Sequence, residues 1–162
     1  MSGLDDMYRE VVLEHHREPH GRAPLNRVDA EASGVNPSCG DEVSIRLQID
    51  AGRIVGVNVD GRGCAISTAS GSMLSDLIEG LGVSRARELA AACKSFLRGD
   101  DKEVTDAELG DLEALAGVRR FPLRIRCALL PWTALEQALA EWAGRTGATQ
   151  VSTEEEVIHG PS

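Results

Sequence analysis

Two segments of alternating apolar and polar residues, between residues 43 and 60, constrain most strongly how this chain can fold. The apolar positions are Val43, Ile45, Leu47 and Ile49 in the first segment, and Val55, Val57 and Val59 in the second. A period of two places these side chains on one face of a β-strand. The residues DAGR at 50–53 are typical of a tight turn between two such strands. Residues 43 to 60 therefore predict a β-hairpin with one solvated face, and a third strand is expected near Arg27 to Ala32.

Before and after the hairpin, the apolar residues take the spacing of helices. A first helix is expected from Leu4 to Arg17, and a second after GRG at 61–63, with Cys64 at its N-terminus. A third is expected to be capped by Ser84, and the capping-box pair Thr105 and Glu108 predicts a short fourth. The last helix is expected to begin near Cys127, which would place Pro131 within about the first turn.

Strands come first and helices afterwards, without the alternation of a βαβ protein, so the pattern predicts an α+β fold. The expected architecture is a small three-stranded antiparallel sheet packed on one face by helices. A chain of 162 residues suits one domain, which we assign to residues 1–146. Residues 147–162 have no apolar period and are expected to form a mobile tail.

Charge and composition exclude several classes of function. The chain has 17 Lys and Arg against 26 Asp and Glu, a net charge of -9, which argues against general nucleic-acid binding. The N-terminus lacks the basic and apolar regions of a secretory signal, and no apolar run is long enough to cross a membrane. We therefore expect a cytoplasmic protein without a membrane or nucleic-acid partner, in which cysteines are more often metal-binding or reactive than disulfide-bonded.

Three of the four cysteines are expected at the ends of secondary-structure elements. Cys39 lies in a turn between Pro37 and Gly40, Cys64 at a strand-to-helix junction, and Cys127 at a helix start. Such positions expose a thiol, and a helix N-terminus favours its thiolate form. Cys93 instead lies on the apolar face of its helix and is expected to be an inert core thiol.

Three thiolates need a fourth ligand for tetrahedral zinc, and Asp41, next but one to Cys39, can supply a carboxylate oxygen. The spacing alone leaves this open, because the three thiols are separated by 25 and 63 residues, unlike the short cysteine pairs of structural zinc modules. Four unrelated cysteines and a turn aspartate would give the same sequence. The histidines do not help: His15, His16 and His20 are expected to face water, and His159 lies in the tail.

Three motifs in order carry a resemblance to a known family. NPSCGD at 36–41, GRGCAISTASGSML at 61–74 and RIRCALLPWTAL at 124–135 resemble the SufU-type branch of the IscU-like iron-sulfur scaffold superfamily, and so does the opening MYREVVLEHHREPHGRAPL. The resemblance covers roughly residues 4 to 143. Arg126 stands where the housekeeping scaffolds have a histidine, and residues 83–105 form an extra segment; both features favour the SufU-type branch.

The resemblance implies the IscU-like/SufE-like fold and one bound Zn²⁺, with Cys39, Asp41, Cys64 and Cys127 as its ligands. It also implies that Cys39 accepts sulfur from a pyridoxal-phosphate (PLP)-dependent cysteine desulfurase of the SufS type and that the sulfur serves downstream iron-sulfur assembly proteins. In that case the protein is a second substrate of the desulfurase rather than a stand-alone enzyme. The alternatives are a scaffold on which an iron-sulfur cluster is assembled and a purely structural zinc domain.

The arginines near the third motif suggest two further roles. Three thiolates and one carboxylate around a divalent cation leave a formal charge of -2, which Arg126, Arg124 or Arg62 could moderate; solvated surface arginines are the simpler reading. Residues 114–135 contain four arginines and no acid, so this basic segment of an acidic protein is a candidate docking face.

Overall fold

The structure is a computed structural model that describes residues 3–37, 40–100 and 109–145, with side chains from residue 9 onward. Along the chain, its elements are helix α1, three strands, two helices, a 3-10 segment and a long last helix. Their bounds are α1 Gly3–Arg17, β1 Ala30–Asn36, β2 Asp41–Asp50, β3 Arg53–Arg62, α2 Ala65–Ile78, α3 Val83–Arg98, the 3-10 segment Gly110–Arg120, and α4 Pro122–Arg145. The predicted tail at 147–162 and the predicted capping pair Thr105 and Glu108 lie outside the described residues.

The three strands form one antiparallel sheet in the order β1-β2-β3. Ala51 and Gly52 connect β2 to β3, and both have positive φ, 52° and 75°, as the tight turns of hairpins require. At the other end of β2, Asn36 pairs with Asp41, so the connection between β1 and β2 is the short stretch that contains Cys39. The predicted three-stranded sheet and its hairpin over residues 43–60 are confirmed, with two corrections. Val55 is 42% exposed, and Ile54 takes its place in the core. The third strand, expected near Arg27 to Ala32, is Ala30–Asn36.

One face of the sheet forms the core with the helices. Ile45, Leu47 and Ile54 are fully buried, as is Trp132 on α4. Helix α4 contacts β1, β2, α2, α3 and the 3-10 segment, so it is the central helix of the fold. Helix α2 approaches the sheet closely, because a Cβ at Gly71 would lie 2.9 Å from the side chain of Val59. The predicted α+β architecture is therefore confirmed.

Two predicted helix starts are wrong. Helix α4 begins at Pro122, whose fixed φ suits the first helical position, and not near Cys127. Pro131 therefore lies well inside the helix, beyond its first turn. Helix α3 is capped by Gly82 and not by Ser84, and the amide of Val83, which has no acceptor within the helix, donates to the carbonyl of Gly52 at 2.9 Å. Among the described residues, no helix is both long and apolar enough to cross a membrane.

Candidate metal centre

Asp41, at the first position of β2, is held by the backbone of a distant residue. Its side chain is almost completely buried, and its Oδ1 accepts a hydrogen bond from the amide of Cys64 at 3.0 Å. Its second oxygen, Oδ2, lies 3.6 Å from the Cys64 sulfur. The carboxylate is thus fixed by one oxygen and presents the other beside a thiol.

Gly63 makes this approach possible. A Cβ at this position would lie 2.6 Å from Oδ1 of Asp41 and 2.6 Å from Oγ of Ser67, closer than any real contact of that kind. The residue has no positive φ, so glycine is needed here for space and not for backbone conformation. Gly63 and Ser67 were not among the predicted site residues. The two glycines of GRG, directly before a cysteine, are the signal that points to such a close approach.

Cys64 is the N-cap residue of α2, as predicted, with an extended backbone (φ -75°, ψ 172°). Its thiol is exposed, whereas that of Cys127 is buried, with 5% of that residue exposed. Ser67, one turn into α2, donates a hydrogen bond to the Cys64 carbonyl at 3.2 Å and places its Oγ 4.0 Å from the Cys64 sulfur. This serine therefore holds the cap residue in place beside the carboxylate.

Cys127 completes the described part of the site from α4. Because α4 begins at Pro122, Cys127 lies in the second turn and not at a helix start, so the expectation that a helix dipole acts on its thiol is wrong. One ligand atom from each of Asp41, Cys64 and Cys127 lies within 4.8 Å of the other two. Cys39, the fourth predicted ligand, lies outside the described residues.

The donor set suits zinc. Thiolate sulfur and carboxylate oxygen are both ordinary zinc ligands, and the three come from three different elements, β2, α2 and α4. Cys93 is fully buried in the core, as predicted, and is not among these ligands.

The arginines have the following surroundings. Arg62 lies 3.9 Å from the carboxylate of Glu42, and the guanidinium of Arg124 lies over the ring of Phe121 at 5.9 Å. Arg126 is exposed and precedes Cys127 in the chain. Phe121 and Leu123 are 55% and 63% exposed, so the basic segment also presents apolar side chains, which the charge pattern alone did not reveal.

The burial of His15 contradicts another prediction. It was expected to face water, but only 3% of it is exposed. Its ring lies between Oγ of Ser72 at 2.6 Å and Oδ2 of Asp111 at 2.9 Å, which replace the solvent. His16 and His20 are exposed, as predicted.

Comparison with known proteins shows the family of this chain. The family model of the NifU-like N terminal domain matches residues 7–149. The chain belongs to this family. The zinc-dependent sulfurtransferase SufU of Bacillus subtilis (strain 168) is 37% identical over 147 residues, 88% of this chain and 96% of that protein. The iron-sulfur cluster assembly scaffold protein IscU of Streptococcus pyogenes serotype M1 is 36% identical over 155 residues, 96% of each chain.

Solved structures of the family share the fold. A putative iron-sulfur cluster assembly scaffold protein for the SUF system from Fervidobacterium islandicum matches with a TM-score of 0.71 and 32% identity, over 80% of this chain and 94% of that one. A NifU-like protein from Brucella abortus matches with a TM-score of 0.76 over 89% of this chain and 99% of that one; at 21% identity it supports the fold alone. The predicted membership of the IscU-like scaffold superfamily is therefore confirmed.

Proposed function

We propose that this protein is a zinc-binding sulfur acceptor, which takes persulfide sulfur from a PLP-dependent cysteine desulfurase of the SufS type for iron-sulfur cluster assembly. The observation that carries the proposal is the convergence of Asp41, Cys64 and Cys127 within 4.8 Å at one end of the sheet. The Bacillus relative is named as a zinc-dependent sulfurtransferase, which supports the same function.

Asp41, Cys64 and Cys127 would hold the zinc together with Cys39, which precedes Asp41 by two residues. Zinc, when bound, lowers the pKa of its cysteine ligands and so keeps their thiols deprotonated at neutral pH. Cys64 and Cys127 belong to helices packed in the core, so their backbones are fixed. Pro37 and Gly40, on either side of the stretch with Cys39, are exposed, which favours Cys39 as the thiol that a partner reaches.

Sulfur transfer then requires one exchange between two proteins. The Cys39 thiolate attacks the outer sulfur of the desulfurase persulfide, a sulfur-sulfur bond forms on Cys39, and the bond within the original persulfide breaks. The desulfurase cysteine leaves as a thiolate, so no external oxidant or reductant is consumed. In this scheme the protein is a second substrate of the desulfurase and not a stand-alone enzyme, and downstream iron-sulfur assembly proteins receive the sulfur.

The desulfurase is proposed to dock on the basic segment, residues 114–135, at its arginine-rich part 119–126. Arg120, Arg124 and Arg126 are exposed there together with Phe121 and Leu123. An apolar pair surrounded by cations fits a partner surface with acidic residues around an apolar centre. We also propose that Arg126 moderates the negative charge of the metal centre, because it precedes Cys127 in the chain.

The test combines metal analysis with desulfurase turnover. Protein purified without added metal is expected to hold one zinc per chain and to raise the turnover of cysteine by a SufS-type desulfurase. Cys39→Ser should abolish the stimulation, and mass spectrometry of the wild type under non-reducing conditions should place a persulfide on the Cys39 peptide. Cys93→Ala is the matched control, since that thiol is buried away from the centre. A persulfide on Cys64 or Cys127, with Cys39 unmodified, would contradict the assignment of Cys39.

A second candidate function is a scaffold on which an iron-sulfur cluster is assembled on the same cysteines. The thiol donors suit iron as well as zinc, and the Streptococcus relative is named as such a scaffold. Anaerobic incubation with iron, cysteine and desulfurase separates the two functions. A cluster that forms on the wild type and then passes to an acceptor protein would favour the scaffold, whereas sulfur transfer without a cluster favours the sulfur acceptor.

A further inference from the structure

A second cluster of metal-ligating side chains lies outside the cysteine centre. One ligand atom from each of His15, His20 and Asp76 lies within 4.8 Å of the other two. We propose that these three residues form a separate divalent-metal site that takes zinc. The proposal does not depend on sulfur transfer, because it uses none of the residues of the cysteine centre.

His15 already has the surroundings of a metal-binding histidine. Its Nε2 lies 2.9 Å from Oδ2 of Asp111, and an ionised carboxylate can only accept, so Nε2 carries the proton in the neutral ring. The other nitrogen, Nδ1, then has its lone pair available and lies 2.6 Å from Oγ of Ser72. A carboxylate that holds the distal nitrogen is the usual companion of a zinc-bound imidazole, because it fixes the tautomer and raises the basicity of the ligating nitrogen.

His20 and Asp76 are the two solvent-exposed ligands of the proposed site. Their side chains are 52% and 48% exposed, and Nδ1 of His20 lies 2.7 Å from Oδ2 of Asp76. The backbone beneath them is fixed, because the His20 amide donates to Oγ of Ser72 at 2.8 Å. The next residue, Gly21, approaches α2 so closely that a Cβ there would lie 2.5 Å from Cβ of Ser75. The polypeptide thus holds the three ligands together without any metal.

Two imidazoles and a carboxylate form a common zinc donor set that leaves one position for water. Ligand atoms of a tetrahedral zinc site lie about 3.4 Å apart for bonds of about 2.05 Å. The present separations reach up to 4.8 Å, so the exposed His20 and Asp76 must move toward His15 by up to about 1.4 Å. Oγ of Ser72 lies 2.6 Å from Nδ1 of His15, where a bound metal would sit, so the serine side chain must rotate and also release the His20 amide. The carbonyl four residues back in α2 is the usual alternative acceptor for a helical serine. Both adjustments cost free energy, so this site is expected to bind zinc more weakly than the cysteine centre.

The test uses the full-length protein with one zinc at the cysteine centre and adds Co²⁺ as the spectroscopic probe. A site made of nitrogen and oxygen ligands gives cobalt d-d absorption without the near-ultraviolet charge-transfer band of thiolate ligation. We expect one additional equivalent of Co²⁺ with this thiolate-free spectrum, and we expect added Zn²⁺ to displace it. Thiolate charge-transfer bands would show that Co²⁺ has replaced zinc at the cysteine centre, and this bound Co²⁺ is counted separately. Absence of metal binding at one site can therefore be distinguished from its absence at the other.

Variants then assign the ligands. His20→Ala and Asp76→Asn should each abolish the thiolate-free equivalent, while the matched control His16→Ala, an exposed histidine in the last turn of α1, should retain it. Asp111→Asn should weaken the second site by about 10- to 100-fold, because it removes the partner of His15 and not a ligand. The melting temperature should rise with added Zn²⁺ in His16→Ala and not in His20→Ala.

Two results would overturn the proposal. One is a wild-type protein that takes up no thiolate-free Co²⁺, which would leave the cluster as a hydrogen-bonded clasp between α1 and α2. The other is a His20→Ala variant that binds the additional equivalent as tightly as the wild type. His15→Ala is avoided as the first test, because His15 is buried and its loss would affect folding.

Discussion

Replacing Gly63 with alanine tests whether the position of Asp41 controls the metal centre. The new Cβ would lie 2.6 Å from Oδ1 and 2.7 Å from Cγ of Asp41, so the carboxylate must leave the Cys64 amide. The same Cβ, whose position is set by the backbone, would also lie 2.6 Å from Oγ of Ser67, so both side chains would have to shift. The substitution therefore acts on Asp41 although it changes neither a ligand nor a charge.

The magnitude follows from the lost hydrogen bond. A hydrogen bond to a charged group contributes about 1.5 to 3 kcal/mol to stability, and Asp41 is too deeply buried to regain water in its place. Alanine also restricts the unfolded chain, which offsets about 0.4 to 1 kcal/mol. We expect a net loss of about 1 to 2 kcal/mol in the free energy of unfolding, and a fall in zinc affinity of about 10- to 100-fold, the range found when the partners of metal ligands are removed.

The assays are urea denaturation of the zinc-loaded protein and competition for zinc with a chromophoric chelator. Gly117→Ala is the matched control, because a Cβ at that exposed glycine would meet no atom within 4 Å. It should leave zinc affinity unchanged and stability equal or slightly higher. If Gly63→Ala bound zinc as tightly as Gly117→Ala and unfolded at the same urea concentration, the carboxylate would not need the position that the structure gives it.

Three further predictions concern other parts of the molecule. Cys93→Ala should keep full zinc content and sulfur transfer but lose about 1 kcal/mol of unfolding free energy, measured by denaturation, because it opens a small cavity in the core. The double variant Phe121→Asp, Leu123→Asp should raise the concentration that half-saturates desulfurase stimulation about 10-fold or more, with zinc content unchanged. The hydrogen bond from Arg27 holds the pKa of Asp29 below its ordinary value, so its stabilising effect is present at neutral pH and is lost as the pH falls below 3.8. The stability difference between the wild type and Asp29→Asn should therefore shrink from pH 7 to pH 3, and an unchanged difference would contradict this role.

The sheet and most helices could be predicted because each rests on a local pattern. The alternation from Val43 to Val59 defines two strands without reference to any other part of the chain, and the change of period after GRG places Cys64 at the start of α2. The predicted start of α4 was wrong because Arg124 and Arg126 interrupt the apolar pattern of the helix. The fixed φ of Pro122 was the better signal.

The site itself could not be predicted from local patterns. Asp41 and Cys64 are 23 residues apart, and they meet because β2 and α2 begin at the same end of the sheet. His15 was misjudged for the same reason, since its partners Ser72 and Asp111 lie 57 and 96 residues away. A buried polar residue needs a partner, and the sequence does not say which residues the fold brings to it. The resemblance to a family supplied the ligand set that spacing left open.

The way Asp41, Cys64 and Cys127 are held would allow the proposed site to combine a tightly bound metal with a reactive thiol. Asp41 is fixed by the Cys64 amide, Cys64 by its place at the cap of α2, and Cys127 by the second turn of the helix at the centre of the fold. Assembly of the three ligands therefore requires the packed sheet and both helices, so metal affinity and folding free energy are coupled. The remaining proposed ligand, Cys39, lies in the sequence between β1 and β2, and its proposed exchange with a partner would leave the other three ligands in place. In the proposed function, three fixed ligands would keep the metal in place while the fourth ligand, Cys39, takes part in chemistry.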